Sequence, residues 1–560
     1  MEALKRDPGE PRAYYLLGIL TADHANHAKA IDLFDRALTL SPQHPEVLAQ
    51  KARSEMALLR RESAVRSADA AAALAPDDAL TLDTLGVVYS RAGLHDRSLE
   101  FYKRATATAP DVSAYHYNFG AALQFVGHMD EAREAYRRCL ILDPGETRAL
   151  AAIVQITKQT EADNQIAELK AVFPSVAHKA DDALRVGHAL AKAYEDLNQP
   201  AEAMGWLAKA KSAKWAAVQH DTAFDDAIFD AAKATTHLPM MGGHTSAQPI
   251  FIVGMPRTGT TLVDRILSSH SEVTSAGELA DFGISLKHLS GTRSKYVLDV
   301  ETLAAAGQVD QDELGRMYMQ RVEATLGLTG RFIDKLPLNA IYAPIILAAL
   351  PEARIICLRR HPADTVLSNY RQLFATQFPY YDYALNLETT AHYYVGFDRM
   401  IRHYSETLPA GRFTQVHYED VVGDIEAQTR RLLEFCGLSF EAQCLEFHQN
   451  AAPVATASSA QVRGSRSIPG RWPDGSGTRR SSPRHSIHWK RLAASMPQSG
   501  ISPRAMLAIP ARRISVFPIR GSHRHETPPP WQERHLRIRH LHGHDDFRRP
   551  NGRSRSPQGS

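Results

Sequence analysis

A glycine-bearing loop between a strand and a helix is the first feature of this sequence that could do chemistry. The run PIFIV at residues 249–253 is short, apolar and β-branched, as in a buried strand, and LVDRILSSH has helical spacing. Between them lies GMPRTGTT, where backbone N–H groups and the positive end of a helix dipole would point at one bound group. The sequence therefore predicts an anion-binding loop at Gly254–Thr261.

This loop departs at one position from the pattern G-x-x-x-x-G-K-[ST] of nucleoside triphosphatases. Thr260 stands in place of the lysine that reaches the terminal phosphates in that pattern. The missing lysine argues against ATP or GTP hydrolysis and disfavours a nucleotide kinase, while Arg257 supplies a compensating charge. The loop alone also leaves open a purely structural glycine turn.

Three further strands are predicted downstream of the loop. They are RFID at 331–334, RIICL at 354–358 and FTQVH at 413–417, the last followed by YEDVVGD and the helix IEAQTRRLLEFCGL. Another helix, ADTVLSNYRQLF, lies between the last two strands. Alternating strands and helices predict a mostly parallel sheet with helices on both faces.

Positive charge follows several of these strands. Lys335 comes directly after RFID, and Arg359 and Arg360 come after RIICL. Ligands bind parallel sheets beyond the carboxyl ends of the strands, so we expect Arg257, Lys335 and Arg360 to converge there. Ser368 lies on the helix that follows Arg360.

The region before the loop is organised by prolines that recur every 34 residues, at Pro8, Pro42, Pro76, Pro110 and Pro144. Between them, small residues occupy one helical position and mostly aromatic residues another, in the pairs Gly18 and Phe34, Ala52 and Ala68, Gly86 and Tyr102, and Gly120 and Tyr136. This spacing resembles four tetratricopeptide repeats over residues 8–144. A helical bundle with accidental prolines is the alternative. The resemblance implies an all-α solenoid at 1–144 whose concave face binds a protein or peptide.

The remaining boundaries follow from changes in composition. Residues 145–240 continue as degenerate helical repeats, 241–248 form a linker, and 249–463 form the α/β domain. The segment 464–560 contains 18 Arg, one Lys and five acidic residues, a net charge of +14. Because the whole chain carries +3, the remainder carries −11. An acidic body is thus joined to a strongly basic tail.

Composition excludes several classes of protein. The chain has 560 residues, enough for roughly three or four domains, and its four cysteines have no paired spacing that would suggest disulfides or a zinc site. No run approaches the roughly 18–20 apolar residues that span a bilayer, and the start lacks a secretory signal. The histidines form no metal cluster. We therefore expect a cytoplasmic protein with no metal, membrane or nucleic-acid partner.

Taken in order, PRTGTT, DKLP, LRRHPADTVLS and YEDVV resemble the sulfotransferases that use 3′-phosphoadenosine 5′-phosphosulfate, PAPS. The resemblance covers about residues 249–463 and is closest to the bacterial branch with a tetratricopeptide N-terminus, whose catalytic domain is similar to tyrosylprotein sulfotransferases. It implies a P-loop-like, three-layer α/β domain with a parallel sheet. It also implies an enzyme that moves a sulfuryl group to an acceptor hydroxyl, with tyrosine, a glycan and a small phenol all left open.

The same resemblance implies roles for individual residues. Glu278, in a Gly-Glu context, would be the general base, with Glu272 and Asp281 as substitutes, and Lys335 would stabilise the leaving phosphate oxygen. A capping carboxylate and a surface lysine are the structural alternatives. The donor would be bound at its 5′-phosphosulfate by Arg257, Thr258, Gly259, Thr260 and Thr261, at its 3′-phosphate by Arg360 (or Arg359) and Ser368, and further by Ser458 (or Ser459).

Aromatic residues near these motifs admit two interpretations. The clusters Tyr380–Tyr383 and His392–Tyr394 combine aromatic and polar character and could line an acceptor pocket. Packing in the core is the interpretation that we favour, because aromatic residues at helical spacing usually pack there.

The tail has the composition of a segment translated in the wrong frame. The motif pattern stops after AQVR, where the family continues with Gln-Pro-hydrophobic-Tyr and a later tryptophan. A GC-rich coding of Gly464–Thr478, read two bases later, gives Gln-Pro-Leu-Tyr and a tryptophan. We therefore predict a frame change near residue 464 and a disordered tail, which resequencing of the gene tests. The alternative function is a non-catalytic tetratricopeptide scaffold with a damaged transferase domain.

Overall fold

The computed structural model of the chain describes residues 7–450, with gaps at residues 59, 241, 247, 328–329 and 375–378. Ser458, Ser459 and the tail at 464–560 lie outside the described residues. The predicted disorder and frame change of the tail therefore stay predictions.

Eight helices in four pairs follow the predicted 34-residue period. Each of the first four prolines of the period lies before a pair, Pro144 follows the fourth pair, and the first and second helices of each pair pack together. The helices are α1 Pro11–Asp23, α2 His27–Leu40, α3 Pro45–Ala57, α4 Arg61–Ala73, α5 Ala79–Arg91, α6 His95–Thr108, α7 Ser113–Val126 and α8 Met129–Leu142. The predicted all-α solenoid is thus confirmed.

Close approach within a pair explains the small residues. A Cβ on Gly86 would lie 2.6 Å from Cε1 of Tyr102, closer than real side chains approach each other. In the second pair an alanine replaces each residue, and both Ala52 and Ala68 are fully buried. The two positions therefore vary together, because one must be small where the other is an aromatic ring.

Five more helices lead to the α/β part. They are α9 Thr147–Ile156, α10 Ile166–Val176, α11 Ala180–Asp196, α12 Pro200–Val218 and α13 Thr222–Ala234. Helix α13, which the sequence assigned to the degenerate repeats, contributes Ile228, Phe229 and Ala232 to the core of the α/β part. The ring of Phe229 packs directly against Gly396 of α20, because a Cβ at that glycine would lie only 2.6 Å from the ring. Helix α13 therefore belongs to the core of the α/β part.

The sheet has five parallel strands in the order β2-β3-β1-β4-β5. Their bounds are β1 Pro249–Gly254, β2 Val273–Ser275, β3 Arg331–Asp334, β4 Arg354–Arg359 and β5 Phe413–His417. The four predicted strands are confirmed, and β2 is an addition that the sequence did not indicate. With three residues, β2 is too short to show the alternation of a strand.

Helices cover both faces of this sheet, as predicted for a three-layer domain. One face packs through Phe251, Phe332 and Ile355, and the other through Ile252, Ile333 and Ile356. Alternate residues of a strand point to opposite faces, so the central strand β1, which is covered on both faces, is apolar from Ile250 to Val253. The helices are α14 Thr260–Leu267, α15 Asp281–Ser290, α16 Val300–Ala305, α17 Gln311–Leu326, α18 Ala343–Ala349, α19 Pro362–Tyr370, α20 Leu387–Thr407, α21 Tyr418–Gly423 and α22 Ile425–Phe435.

Two predicted helix ends are corrected. Helix α19 ends at Tyr370 rather than continuing to Phe374, and α22 ends at Phe435 rather than Leu438. After α22, Gly437 has a φ of +67°, a conformation that ends a helix and that glycine adopts without strain.

A buried lysine joins the helical part to the segment after α19. Lys211 of α12 is 2% exposed, and its Nζ donates to the carbonyl oxygens of Ala384 at 2.8 Å and Gln372 at 3.3 Å. No carboxylate of the described residues forms an ion pair with it. Burial lowers the pKa of Lys211 to about 7. Nearby, Arg371 forms a two-point ion pair with Glu195 of α11.

The close approach of helices predicts opposite effects for two mid-helix glycines. Gly86→Ala places a methyl group against Tyr102 and should lower the free energy of unfolding by about 1–3 kcal/mol. Gly205→Ala is the matched control, because no atom lies within 4 Å of its Cβ position, and it should raise stability by about 0.5–1 kcal/mol. Urea unfolding followed by circular dichroism measures both. Equal urea midpoints for the two variants would contradict the inference that Gly86 is required by its contact with Tyr102.

Lys211 predicts a pH dependence of stability. The pKa of a lysine is about 10.4 in the unfolded chain, so the buried ammonium lowers stability below pH 7, and this loss is relieved as the pH rises toward 10. Between pH 7 and 9 the free energy of unfolding of wild type, relative to that of Lys211→Met, should therefore rise by up to about 1.4 kcal/mol per pH unit. Lys209→Met, which removes an exposed lysine of the same helix, is the control. Urea melts at three pH values show the trend, and a constant difference would contradict it.

Candidate active site

The predicted anion loop connects β1 to α14, and its backbone requires glycine at both ends. Gly254 and Gly259 have φ values of +149° and +101°. A Cβ would lie 2.6 Å from the carbonyl oxygen of Leu358 at the first position and 2.5 Å from the ring of Tyr418 at the second. Arg257 also has a positive φ, +66°, which is uncommon for a side-chain-bearing residue and occurs often at binding sites.

Buried hydrogen bonds hold the loop from inside. The hydroxyl of Thr258 donates to the carbonyl of Met255 at 2.7 Å. Asn369 of α19 donates to the carbonyl of Pro256 at 2.8 Å and accepts from the hydroxyl of Tyr383 at 3.0 Å. The hydroxyl of Thr258 therefore shapes the loop. Sequence reasoning missed Asn369, although it immediately follows Ser368.

Arginines gather beside the loop. The Nη1 of Arg360 donates to the carbonyl oxygen of Arg257 at 3.1 Å, and its guanidinium lies 5.0 Å from the ring centre of Tyr418. Desolvation and the neighbouring charges of Arg360 and Arg371 lower the pKa of Arg257. Like charges held together at a helix N-terminus favour the binding of an anion.

The structure separates the two adjacent arginines that the sequence left as alternatives. Arg359 is buried, and it pairs with Asp398 and donates to Gln415 on the neighbouring strand. Arg360 turns to the anion loop. Because successive residues at a strand end point to opposite sides, only Arg360 faces the predicted donor site.

Ser368 lies close to Arg360 through a shared neighbour. Its hydroxyl donates to the carbonyl oxygen of Asp364 at 2.6 Å, and the carboxylate of Asp364 is 4.0 Å from Nη2 of Arg360. Arg360 thus lies just before α19, and Ser368 lies in the last turn of that helix.

Lys335 and Glu278 meet directly. The Nζ of Lys335 lies 2.6 Å from Oε1 of Glu278. The lysine side chain is only 4% exposed, whereas that of Glu278 is 41% exposed. The structure thus brings together the two residues predicted to be catalytic, with the carboxylate open to an incoming group and the ammonium enclosed.

The substitutes for Glu278 occupy different places. Asp281 forms an ion pair with Arg321 at 2.9 Å. Glu272 precedes β2 and is exposed, so it lies at the opposite end of that strand from Glu278. Only Glu278 contacts Lys335 among these carboxylates.

A buried aspartate that sequence reasoning did not single out holds the loops that carry Glu278 and Lys335. Asp334 ends β3 and accepts from the backbone N–H of Leu279 at 3.3 Å and of Leu336 at 3.2 Å. It also accepts from the hydroxyl of Tyr318 and the amide of Asn339. Burial raises the pKa of Asp334 to about 7, and these bonds oppose that shift. Its signal in the sequence is its place in DKLP, directly before Lys335.

The aromatic cluster divides between core and site. Tyr383 and Tyr393 are buried and stack with ring centres 3.7 Å apart, as core packing requires. Tyr381 stacks on Phe374 at 4.7 Å. Burial, together with the negative charge of Glu278, raises the pKa of Tyr381.

The described residues offer neither a metal-ligand cluster nor a membrane-spanning helix. They contain no group of three or more His, Cys, Asp or Glu side chains placed to hold a metal ion. Within the same residues, no helix combines the length and the apolarity needed to cross a membrane.

Comparison with known families agrees with this architecture. Residues 249–442 match the sulfotransferase family, and residues 2–45 and 113–146 match tetratricopeptide repeats. The resemblance predicted from the motifs thus agrees with a sulfotransferase-family match over residues 249–442 and with tetratricopeptide-repeat matches before it.

Similar curated proteins include two named as sulfotransferases. A putative protein-tyrosine sulfotransferase of Caenorhabditis briggsae is 24% identical over 36% of this chain and 70% of its own length. Protein-tyrosine sulfotransferase A of Caenorhabditis elegans is 24% identical over 37% of this chain and 54% of its own. An uncharacterized protein of Aquifex aeolicus (strain VF5) is 29% identical over 61% of this chain. The chain spans about half of that relative, 46% of its length.

Two solved structures similar to this chain are YrrB and PilF. YrrB, a TPR protein with an unusual peptide-binding site, is 16% identical, with a TM-score of 0.26 over 36% of this chain and 95% of its own. PilF of Pseudomonas aeruginosa is 18% identical, with a TM-score of 0.30 over 37% of this chain and 92% of its own.

The buried acceptor at Asp334 predicts a costly substitution. Asp334→Asn keeps the shape but turns an amide donor toward groups that already donate, and it should lower the free energy of unfolding by about 2–4 kcal/mol. The exposed Asp230→Asn should change it by less than about 0.5 kcal/mol. Urea denaturation measures the difference between the variants. Equal stability would show that these four bonds do not hold the loops.

Proposed function

We propose that this protein is an enzyme that transfers a sulfuryl group from PAPS to an acceptor hydroxyl. The observation that carries the proposal is the contact of Lys335 with Glu278 at 2.6 Å, on loops that follow β3 and β2. The anion loop follows β1, which is the neighbour of β3. The anion loop, a candidate general base and an enclosed cation therefore lie at one edge of the sheet.

The donor is a polyanion, and the anion loop with its neighbouring arginines is suited to bind a polyanion. Arg257 to Thr261 would bind the 5′-phosphosulfate through the backbone N–H groups at the start of α14. Arg360 and Ser368 would bind the 3′-phosphate. The lowered pKa of Arg257 indicates positive charge that an anion would balance.

Sulfuryl transfer needs a nucleophile and a stabilised leaving group. Glu278 would accept the proton of the acceptor hydroxyl while that oxygen forms a bond to the sulfur. The bond between sulfur and the bridging oxygen breaks, and its electron pair stays on the phosphate of adenosine 3′,5′-bisphosphate. Lys335 would neutralise that charge after its ammonium turns from Glu278 to the donor. Charge stabilisation by these residues requires no metal ion.

A protein tyrosine is the acceptor that we would test first. Two relatives are named as protein-tyrosine sulfotransferases, and the side chain of Glu278 is open to a bulky acceptor. The tetratricopeptide repeats would bind the protein or peptide that carries the hydroxyl. We place this reaction in the cytoplasm, without membrane or nucleic-acid partners.

A scaffold without catalysis is the second candidate, and the basic composition of residues 464–560 favours it. The tail differs from the family pattern where the segment that covers the nucleotide is expected. Peptide binding without binding of adenosine 3′,5′-bisphosphate would support the scaffold, and restoring the reading frame near residue 464 should then restore nucleotide binding.

Arg360→Ala tests the donor site. Loss of a charge-assisted contact to phosphate should weaken binding of adenosine 3′,5′-bisphosphate by about tenfold to a hundredfold, measured by calorimetry in EDTA. Arg316→Ala removes an exposed arginine of α17 and serves as the control, with unchanged affinity expected. Equal affinity of Arg360→Ala and wild type would remove the assignment of the 3′-phosphate site.

Glu278→Gln tests the base. The amide cannot accept the proton, so sulfuryl transfer from labelled PAPS to a tyrosine peptide or p-nitrophenol should slow by about a hundredfold or more. Affinity for adenosine 3′,5′-bisphosphate should stay within about threefold of wild type, because the base acts on the acceptor. A variant as fast as wild type would exclude Glu278 as the base.

A further inference from the structure

The side-chain amide of Asn369, on α19, has one fixed orientation under the anion loop. Its Nδ2 donates to the carbonyl oxygen of Pro256 at 2.8 Å and to that of Thr365 at 2.9 Å. Its Oδ1 accepts from the hydroxyl of Tyr383 at 3.0 Å. Both N–H groups and the oxygen of the amide are thus bonded. A reversed amide would place its oxygen against two carbonyl oxygens, so the orientation is fixed by the partners.

Tyr383, which bonds to this amide, is itself held on several sides. Both Asn369 and Tyr383 are fully buried, with 0% of their surface exposed. The ring of Tyr383 stacks on that of Tyr393, with centres 3.7 Å apart. Its carbonyl oxygen accepts from the hydroxyls of Thr389 at 2.7 Å and Thr390 at 3.0 Å. Tyr383 therefore braces the amide of Asn369 from a rigid part of the core.

The bond to Pro256 also sets the direction of the next backbone N–H. A trans peptide is planar, and its carbonyl oxygen and its N–H lie on opposite sides. Because the carbonyl of Pro256 points to α19, the N–H of Arg257 points away from that helix. No backbone carbonyl of the described residues accepts from the N–H of Arg257 or of Thr258. Successive N–H groups of this kind in a loop can bind an anion.

The conformation of Arg257 depends on contacts on both sides of it. Its φ of +66° costs free energy for a residue with a side chain, and such a conformation persists only where the surroundings require it. Asn369 holds the carbonyl that precedes Arg257, and Arg360 donates to the carbonyl of Arg257 itself at 3.1 Å. Without Asn369 the peptide before Arg257 would be free to rotate, and its N–H would turn with it.

We propose that Asn369, braced by Tyr383, is a positioning residue that presents the N–H of Arg257 to the 5′-phosphosulfate of the donor. It acts through the peptide that it holds. Arg360 and Ser368, assigned to the 3′-phosphate, keep their positions without it. The inference rests on the proposed transfer from PAPS and divides the donor site into two parts that can be weakened separately.

Two nucleotides distinguish positioning from a general loss of structure. Adenosine 3′,5′-bisphosphate carries the 5′-phosphate, and adenosine 3′-monophosphate lacks it. The affinity of the full chain for each is measured by calorimetry in EDTA for wild type, Asn369→Ala and Tyr383→Phe. Tyr404→Phe is the matched control, because Tyr404 is also 0% exposed and its hydroxyl donates to a carbonyl, that of Ile341 at 3.2 Å.

We expect Asn369→Ala to weaken binding of the bisphosphate by about tenfold or more and binding of the monophosphate by less than about threefold. Tyr383→Phe keeps the amide donors but removes their brace, so it should weaken bisphosphate binding by about threefold to tenfold. Tyr404→Phe should leave both affinities unchanged. Equal losses for the two nucleotides in Asn369→Ala, or an unchanged affinity for the bisphosphate, would overturn the inference. If Asn369→Ala fails to fold, the same comparison in Tyr383→Phe decides it.

A wild type that binds neither nucleotide would count against the proposed function. The role of Asn369 is then decided by a crystal structure of Asn369→Ala, or of Tyr383→Phe if the first variant fails to fold. A carbonyl of Pro256 turned away from α19, with Arg257 no longer at positive φ, would support the inference. An unchanged peptide would overturn it.

Discussion

Parallel pairing of β3, β1 and β4 is the constraint on which the site depends. Ile250 of β1 pairs with Ile333 on one side and with Arg354 on the other, so the three strands lie side by side. Because they run in the same direction, the segments that leave them begin at one edge. The backbone of the sheet therefore brings together Lys335, the anion loop and Arg360.

Hydrogen bonds from buried polar groups then fix the backbone of the loops at this edge. Asp334 holds the backbone directly after Glu278 and directly after Lys335, and Asn369 holds the anion loop. Loops fixed in this way lose little conformational entropy when a ligand binds. The price is a site whose stability depends on acceptors that are hard to replace, since each buried acceptor is already matched to its donors.

Helices α12 and α13, which precede the sheet, contact the α/β part at two places. Helix α13 packs in the core beneath the sheet, and Lys211 binds carbonyl oxygens on either side of the segment that carries Tyr381. The helices that precede the sheet therefore help to hold the segment after α19 in place.

Much of this architecture was predictable because its signals are local. The repeats follow from small residues that face aromatic rings, and four strands follow from short apolar runs with charged residues after them. Strand β2 was missed, since three residues carry no period. Asp334 and Asn369 were missed because each binds a loop that is distant in sequence, Asp334 at Leu279 and Asn369 at Pro256. Adjacent Arg359 and Arg360 could be distinguished only by the direction of their side chains. The roles of the site residues stay predictions.

A crystal structure of the chain with adenosine 3′,5′-bisphosphate would test the central claim most directly. We predict that the 5′-phosphate lies within hydrogen-bond distance of the backbone N–H groups at the start of α14 and of Nζ of Lys335. The 3′-phosphate should contact Arg360. A nucleotide bound away from this edge of the sheet, or a 5′-phosphate out of reach of both the loop and Lys335, would contradict the account.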